Sequence, residues 1–368
     1  MVHSPVTVPR SDVGSLPAII GAGAQTSVGL DLPMTASCVR CGMNRFALSE
    51  YLRDEETGEP MALALLKSLP EDVFAFERMK TLAVAAAQEA LAPWRDIMSD
   101  YSSSDSAIPI VLSVPHERPG FPKGSGRKLF VEITRELPVR ADGPRCGIFD
   151  TGHEGGLAAL GYAVHLIQNE SALACLVGGV ESFKEIETLH WFEAMGRIKK
   201  ENQPHGFLPG EGAGFILVCS PELAKRGQVR ALAEVVAWGR AVEPHPWYSA
   251  EPTIGTGLTQ ALQQVFAGQS PEEVQAEITY CDLNGECWRA DEWGYAYLRT
   301  GKYHSEPLDM VHPADCWGDI GAASGTLLVG LACHQFFRAH HVKSTALIWT
   351  ASDTRPLRAA CLLRKTPE

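Results

Sequence analysis

No stretch of the sequence approaches the roughly 18 consecutive apolar residues that a membrane span needs, and Met1–Arg10 lack a basic start leading into an apolar run. Neither a spanning helix nor a secretory leader is expected, and a cytoplasmic location follows. Positive charge is also short: 32 Lys and Arg against 44 Asp and Glu leave a formal charge of -12. Neutralising phosphates requires a basic face, so no nucleic-acid partner is expected. The densest basic stretch, Arg118, Lys123, Arg127, Lys128, Arg135 and Arg140, is broken by Glu117, Glu132 and Glu136, and reads as mixed solvated surface. Paired metal-ligand spacing is missing too. Cys38 and Cys41 form one C-x-x-C with no second pair, His340 and His341 are remote, and His312, Asp315, Cys316 and Asp319 fit no common site. No metal or cofactor is expected, and the ten cysteines read as reduced thiols, several of them (Cys175, Cys219, Cys333) inside apolar runs. PAIIGAGAQTSVG, Pro17 to Gly29, suggests a strand and a glycine-rich turn, but position 26 is Thr where a dinucleotide-binding fingerprint needs its third glycine.

What is present is an ordinary globular composition: 368 residues, 45% hydrophobic and 21% charged. Apolar residues at helical spacing between Glu71 and Leu91, stopped by Pro93, predict a core-facing helix. Tyr101–Ser106 reads as a loop entering a buried strand, Ile108–Val114. From Cys146 the pattern is strand (CGIFD), sharp turn (TGHEGG) and helix (LAALGYAVHLIQNE). The strand Ala172–Val180 follows, then HGFLPGEGAGFILV, whose glycines feed a strand and so form no phosphate loop. After Arg226 and Gly227 the alternation restarts with ALAEVVAWG, a helix near Thr256–Phe266, and the strands AEITYCDL, TALIWTAS and RAACLLRK. Strands alternating with helices predict a layered α/β fold with mainly parallel sheets.

Three runs in this order carry a resemblance: the helix bearing Glu77, Arg78, Leu82, Glu89, Ala90 and Leu91, GGVES at Gly178–Ser182, and GFLPGEGAG at Gly206–Gly214. The chain resembles the β-ketoacyl-[acyl-carrier-protein] synthases of the thiolase superfamily over nearly its whole length. The resemblance implies a thiolase-like fold of two pseudo-repeated βαβαβαββ halves in five layers, α-β-α-β-α. Residues 1–15 would be a tail, 16–227 one half and 228–368 the other. It also implies pairing through the strand before TGHEGG, as a homodimer or a ketosynthase-like heterodimer, with an acyl-carrier protein or CoA thioester as ligand.

The chemistry that the resemblance implies is altered. The family's nucleophile is the Cys that ends an Asp-Thr-Ala-Cys turn, where a helix N-terminus lowers its pKa and amides hold the oxyanion. Asp150 and Thr151 match, Gly152 replaces Ala, and His153 stands at the Cys position. Two polarising groups, usually His or Asn, fall at Asn284 and at Asp319 within CWGDIGAASG. SDTRP, Ser352–Pro356, replaces a glycine-rich gating loop. The candidate catalytic residues are thus His153, Asn284 and Asp319, with Glu154, Thr151, Ser352 and Arg355 as candidate substrate contacts. Glu211 within GFLPGEGAG reads as half of an internal ion pair.

Two accounts stay open. A chain that keeps the fold without Cys-dependent Claisen condensation would act as a noncatalytic partner or scaffold, one variant being an accessory to a bacterial secretion effector. Alternatively, three polar replacements in one pocket, each costly to bury unpartnered, would suit an acyltransferase, thioesterase or decarboxylase acting on thioesters. The length of the chain predicts a reduced acyl pocket.

Overall fold

In the structure, a computed structural model that describes residues 16–54, 57–70, 72–99, 107–338 and 343–366, the glycines of the first apolar run lie inside a strand. β1 (Ala18–Thr26) runs straight through Gly21 and Gly23. The turn of this segment comes only at Thr26–Gly29, and the earlier glycines instead make room for the helix Ala75–Ala90: a Cβ on Gly21 would lie 2.0 Å from the Ala90 carbonyl oxygen, and one on Gly23 2.1 Å from that of Ala86. The expectations for residues 1–15, Tyr101–Ser106 and the His340–His341 pair fall outside the described residues.

After β1 the first half continues with α1 (Leu32–Arg40), β2 (Ala47–Arg53), β3 (Pro60–Leu63), α2 (Ala75–Ala90), α3 (Ala92–Ser99), β4 (Ile110–Ser113) and α4 (Ser125–Glu136). It closes with β5 (Gly147–Phe149), α5 (Gly155–Gln168), β6 (Ala174–Ser182), α6 (Ile186–Ala194), β7 (Glu211–Cys219) and α7 (Pro221–Arg226). The second half holds β8 (Ala233–Val242), α8 (Thr256–Val265), β9 (Ile278–Cys281), α9 (Cys287–Thr300), β10 (Met310–Val311), α10 (Ala314–Trp317), α11 (Ser324–Phe337), β11 (Thr345–Ala351) and β12 (Leu357–Arg364).

Strand order exposes a repeat. β1-β7-β6-β4-β5 in the first half is matched by β8-β12-β11-β9-β10 in the second, and the two are joined through β1 and β8. In each half the first three strands pair antiparallel and the last three parallel. The sheet is therefore mixed, not mainly parallel as expected. The antiparallel members β7 and β12 are buried on both faces, so their sequences carry the unbroken apolar runs usual for parallel strands.

α5 and α11 are buried almost end to end and form the central layer, filled by Leu157, Leu160, Val164, Leu327, Leu328 and Phe336. Each such side chain contributes about 1.5–3 kcal/mol by leaving water. α2 and α4 cover the outside of one sheet region, and α8 and α9 that of the other. The layers thus run α-β-α-β-α. α5 and α11 touch at their first turns, where Gly156 and Gly325 leave no room for side chains.

Candidate functional site

Both central helices begin with a 3₁₀ turn, Gly152–Glu154 before α5 and Gly321–Ala323 before α11, and the two turns abut. Gly152, with φ 69°, sets the first turn and places His153 beneath the loops of the second half. His153 is 2% exposed. Its Nε2 lies 2.9 and 3.0 Å from the two Asp319 carboxylate oxygens, and its Nδ1 lies 3.4 Å from Asp353 Oδ1 on the opposite side. Asp319 also accepts from Gly321 N at 2.7 Å and from Asn284 Nδ2 at 2.5 Å. The three residues expected to converge, His153, Asn284 and Asp319, do so.

The structure adds residues that the sequence did not reveal. Arg289, fully buried in the first turn of α9, donates to Asp282 and to the Ala351 carbonyl at 2.8 and 2.7 Å. Its Nη2 lies 3.2 Å from His153 Nε2. Arg197 donates to both Glu286 oxygens at 2.6 and 3.0 Å and to Asp353 at 2.8 Å. Asn284 Nδ2 reaches Glu286 at 3.1 Å, which closes the circuit. His116 is buried nearby, with an orphan Nε2.

Electrostatics fix the charge states. Burial alone would lower the pKa of His153, and Arg289 lowers it too. The Asp319 charge, with hydrogen bonding to Asp319 and Asp353, outweighs both and raises it to about 10. Against the opposing effect of burial, His153 and Arg289 hold Asp319 far below the usual carboxylate range, and Arg197 and His153 do the same for Asp353. Burial raises Asp282, although Arg289 opposes it, and burial lowers His116 to about 4. The two carboxylates thus favour the protonated imidazole, with Nε2–H donating to Asp319, and Arg289 approaches the same nitrogen while its own charge is met by Asp282 and Glu286.

The remaining candidates lie at the margin. Thr151 contributes its carbonyl, which accepts from Ser352 Oγ at 2.7 Å, and Arg355 is exposed and enters through its backbone N–H, donated to Ser352 Oγ at 3.1 Å. Glu154 turns away to pair with Arg240 at 2.7 Å. Glu211 forms the expected internal pair, with Arg78, at 2.5 and 2.8 Å. Arg118, expected on a basic surface, is buried against Glu181 at 2.6 Å. His312 pairs with Asp315 at the surface, and among the described residues no group of three His, Cys, Asp or Glu side chains could hold a metal ion. Trp293 stacks on Trp349 in the core, and no helix among the described residues is long and apolar enough to cross a membrane.

Beside His153, between Asp282, Asn284, Trp317, Ile320 and Leu328, lies a cavity of about 10 Å³. That is room for roughly one water molecule.

The mixed ten-stranded sheet enclosing two buried helices defines the class: the chain has a thiolase-like fold of the ketosynthase type. Residues 140–224 match the family described as Beta-ketoacyl synthase, N-terminal domain. Among solved structures, a ketosynthase from module 6 of the bacillaene synthase of Bacillus subtilis 168 is 12% identical, with a TM-score of 0.74 over 96% of this chain and 72% of its own. A type II polyketide synthase acyl-carrier protein in complex with its ketosynthase, AntDE:AntF, gives 15% identity and 0.73 over 96% and 100%. The ishigamide ketosynthase/chain length factor gives 19% identity and 0.66 over 96% and 100%. No curated protein is significantly similar in sequence.

Proposed function

We propose that this chain is a ketosynthase-fold protein that has exchanged thiol chemistry for a buried ion network and acts as a noncatalytic partner subunit. The observation that carries this reading is the setting of His153: enclosed and held between two carboxylates at the position where the resemblance puts a nucleophile. Against the opposing effect of burial, the Asp319 charge beside it raises its pKa and so disfavours the neutral imidazole. A general base or acyl acceptor needs that neutral form. These facts weigh against an acyltransferase, thioesterase or decarboxylase working through His153, Asn284 and Asp319.

In this reading the partner is a second ketosynthase-like chain, identical or not, joined along β5. β5 ends the sheet with one side unpaired, and Ile148 at its centre is exposed. Likeness to a ketosynthase/chain length factor and to a ketosynthase with its acyl-carrier protein supports an assembly that handles carrier-bound or CoA thioesters. The test is intact mass and product analysis after incubation with acetyl-CoA, malonyl-CoA and a long-chain acyl-CoA, beside His153→Ala. No adduct and no turnover is expected from either protein. An adduct or product from the wild type that the variant lacks would overturn the proposal.

A further inference from the structure

The repeat provides an internal control for surface character. α4 and α9 are topological counterparts, each joining the two outermost strands of its half, β4 to β5 and β9 to β10. The outer face of α4 is what a solvated helix should carry: Arg127, Lys128, Arg135 and Glu136 are exposed. α9 buries Arg289, Glu292, Trp293, Ala296 and Thr300. Its outer face shows Cys287, Ala290, Gly294, Tyr295 and Leu298, with Asp291 and Arg299 as its only charged members. Leu298 is 80% exposed, the highest value among the large apolar side chains described, and Tyr295 and Ile254 are each 42% exposed. Arg299 ties these together, since it donates to the Ile254 carbonyl at 2.6 Å and lies over the Tyr295 ring at 5.7 Å.

The charges flanking this face are complementary to themselves. Asp291 lies toward its start and the exposed Lys302 just past its end, about 16 Å apart at the rise of an α-helix. Among the described residues neither forms a salt bridge, although Lys302 lies over the Tyr303 ring at 5.0 Å and its charge acts on the Glu272 carboxylate. Laid antiparallel on its own copy about a two-fold axis between residues 296 and 297, α9 would set Asp291 against Lys302, Tyr295 against Leu298 and Gly294 against Arg299, each contact made twice. Gly294 has open space above it and permits close approach. An isologous contact needs such reciprocity.

We infer that the outer face of α9 is a self-association surface whose occupant is α9 of a second copy of this chain. It is separate from the β5 edge and does not depend on the proposed function. One helix pair with a flanking loop is a small interface, so the association is weak and depends on concentration. The test is sedimentation equilibrium from about 1 to 500 µM. Weight-average mass should rise up to twofold above its low-concentration value. Leu298→Asp should abolish the rise, Asp291→Lys should weaken it, and Asp291→Lys with Lys302→Asp should restore it. Leu298 is too exposed for the change to disturb folding, which circular dichroism of the variant checks. A flat wild-type mass, or a rise that Leu298→Asp leaves unchanged, would overturn the inference.

Discussion

His153 makes stability depend on pH in a direction unusual for a histidine at this depth. A pKa raised from about 6.5 to about 10 means its ion pairs contribute fully below pH 6.5 and fade as pH rises toward 10. His116 and His304 behave oppositely: burial lowers each to about 4, so their contribution is complete above pH 6.5 and lost as pH falls through 4. Considering these three histidines, stability should peak near pH 6.5. His153→Gln should cost about 3–5 kcal/mol by leaving buried carboxylates uncompensated. It should also flatten the decline in urea midpoint between pH 6.5 and 10, and equal slopes for variant and wild type would refute this account. His153, Asn284 and Asp319 were legible in the sequence because each sits in a local motif. Arg197, Arg289 and Asp353 were not. Arg289 meets His153 across 136 positions and Arg197 meets Asp353 across 156, and a pairing of that reach leaves no periodic trace.

Among the elements, apolar patterning located most strands of the large sheet and the helices α2, α5 and α8 to within a few residues, since each buries a defined face, but gave no sign of α9 or of the central helix α11. It failed where one element was shaped by another. Gly21 and Gly23 suggested a turn in isolation, whereas the neighbouring helix makes them a groove in an extended strand. Adding one methyl at Gly23 sets it 2.1 Å from the Ala86 carbonyl and 2.8 Å from Glu89 Cβ, and Glu89 itself accepts from Ala24 N and Leu32 N. Gly23→Ala should therefore destabilise by about 1–3 kcal/mol or more. Gly143→Ala, with nothing within 4 Å of its new Cβ, should stay within about 0.5 kcal/mol. Denaturant titration of the two variants gives the comparison.

For the molecule as a whole, the two halves share one interior. α11 belongs to the second half yet packs against β7, β1 and β6 of the first, and the central core draws on both. The ion network likewise joins His153 and Arg197 to Asp319, Asp353, Glu286 and Arg289. Residues 16–227 and 228–368, produced separately, should each lack a cooperative thermal transition, because each would expose its side of the central layer to water. Produced together, they should recover one. A sharp transition in either half alone would show that the repeats are independent.

The closed circuit around His153 also bears on what can follow from it by single substitutions. Placing a cysteine at position 153 would supply a thiol but not a reactive site. Asp319 and Asp353 would lose their shared counter-ion, Arg289 would keep its partners, and nothing would enlarge the space alongside. Each neighbour is held by two or more of the others, so replacing any one of them leaves buried charge uncompensated elsewhere in the circuit. The network thus works as a keystone: its members depend on one another and can be exchanged only in concert, a constraint that the exposed surfaces do not share.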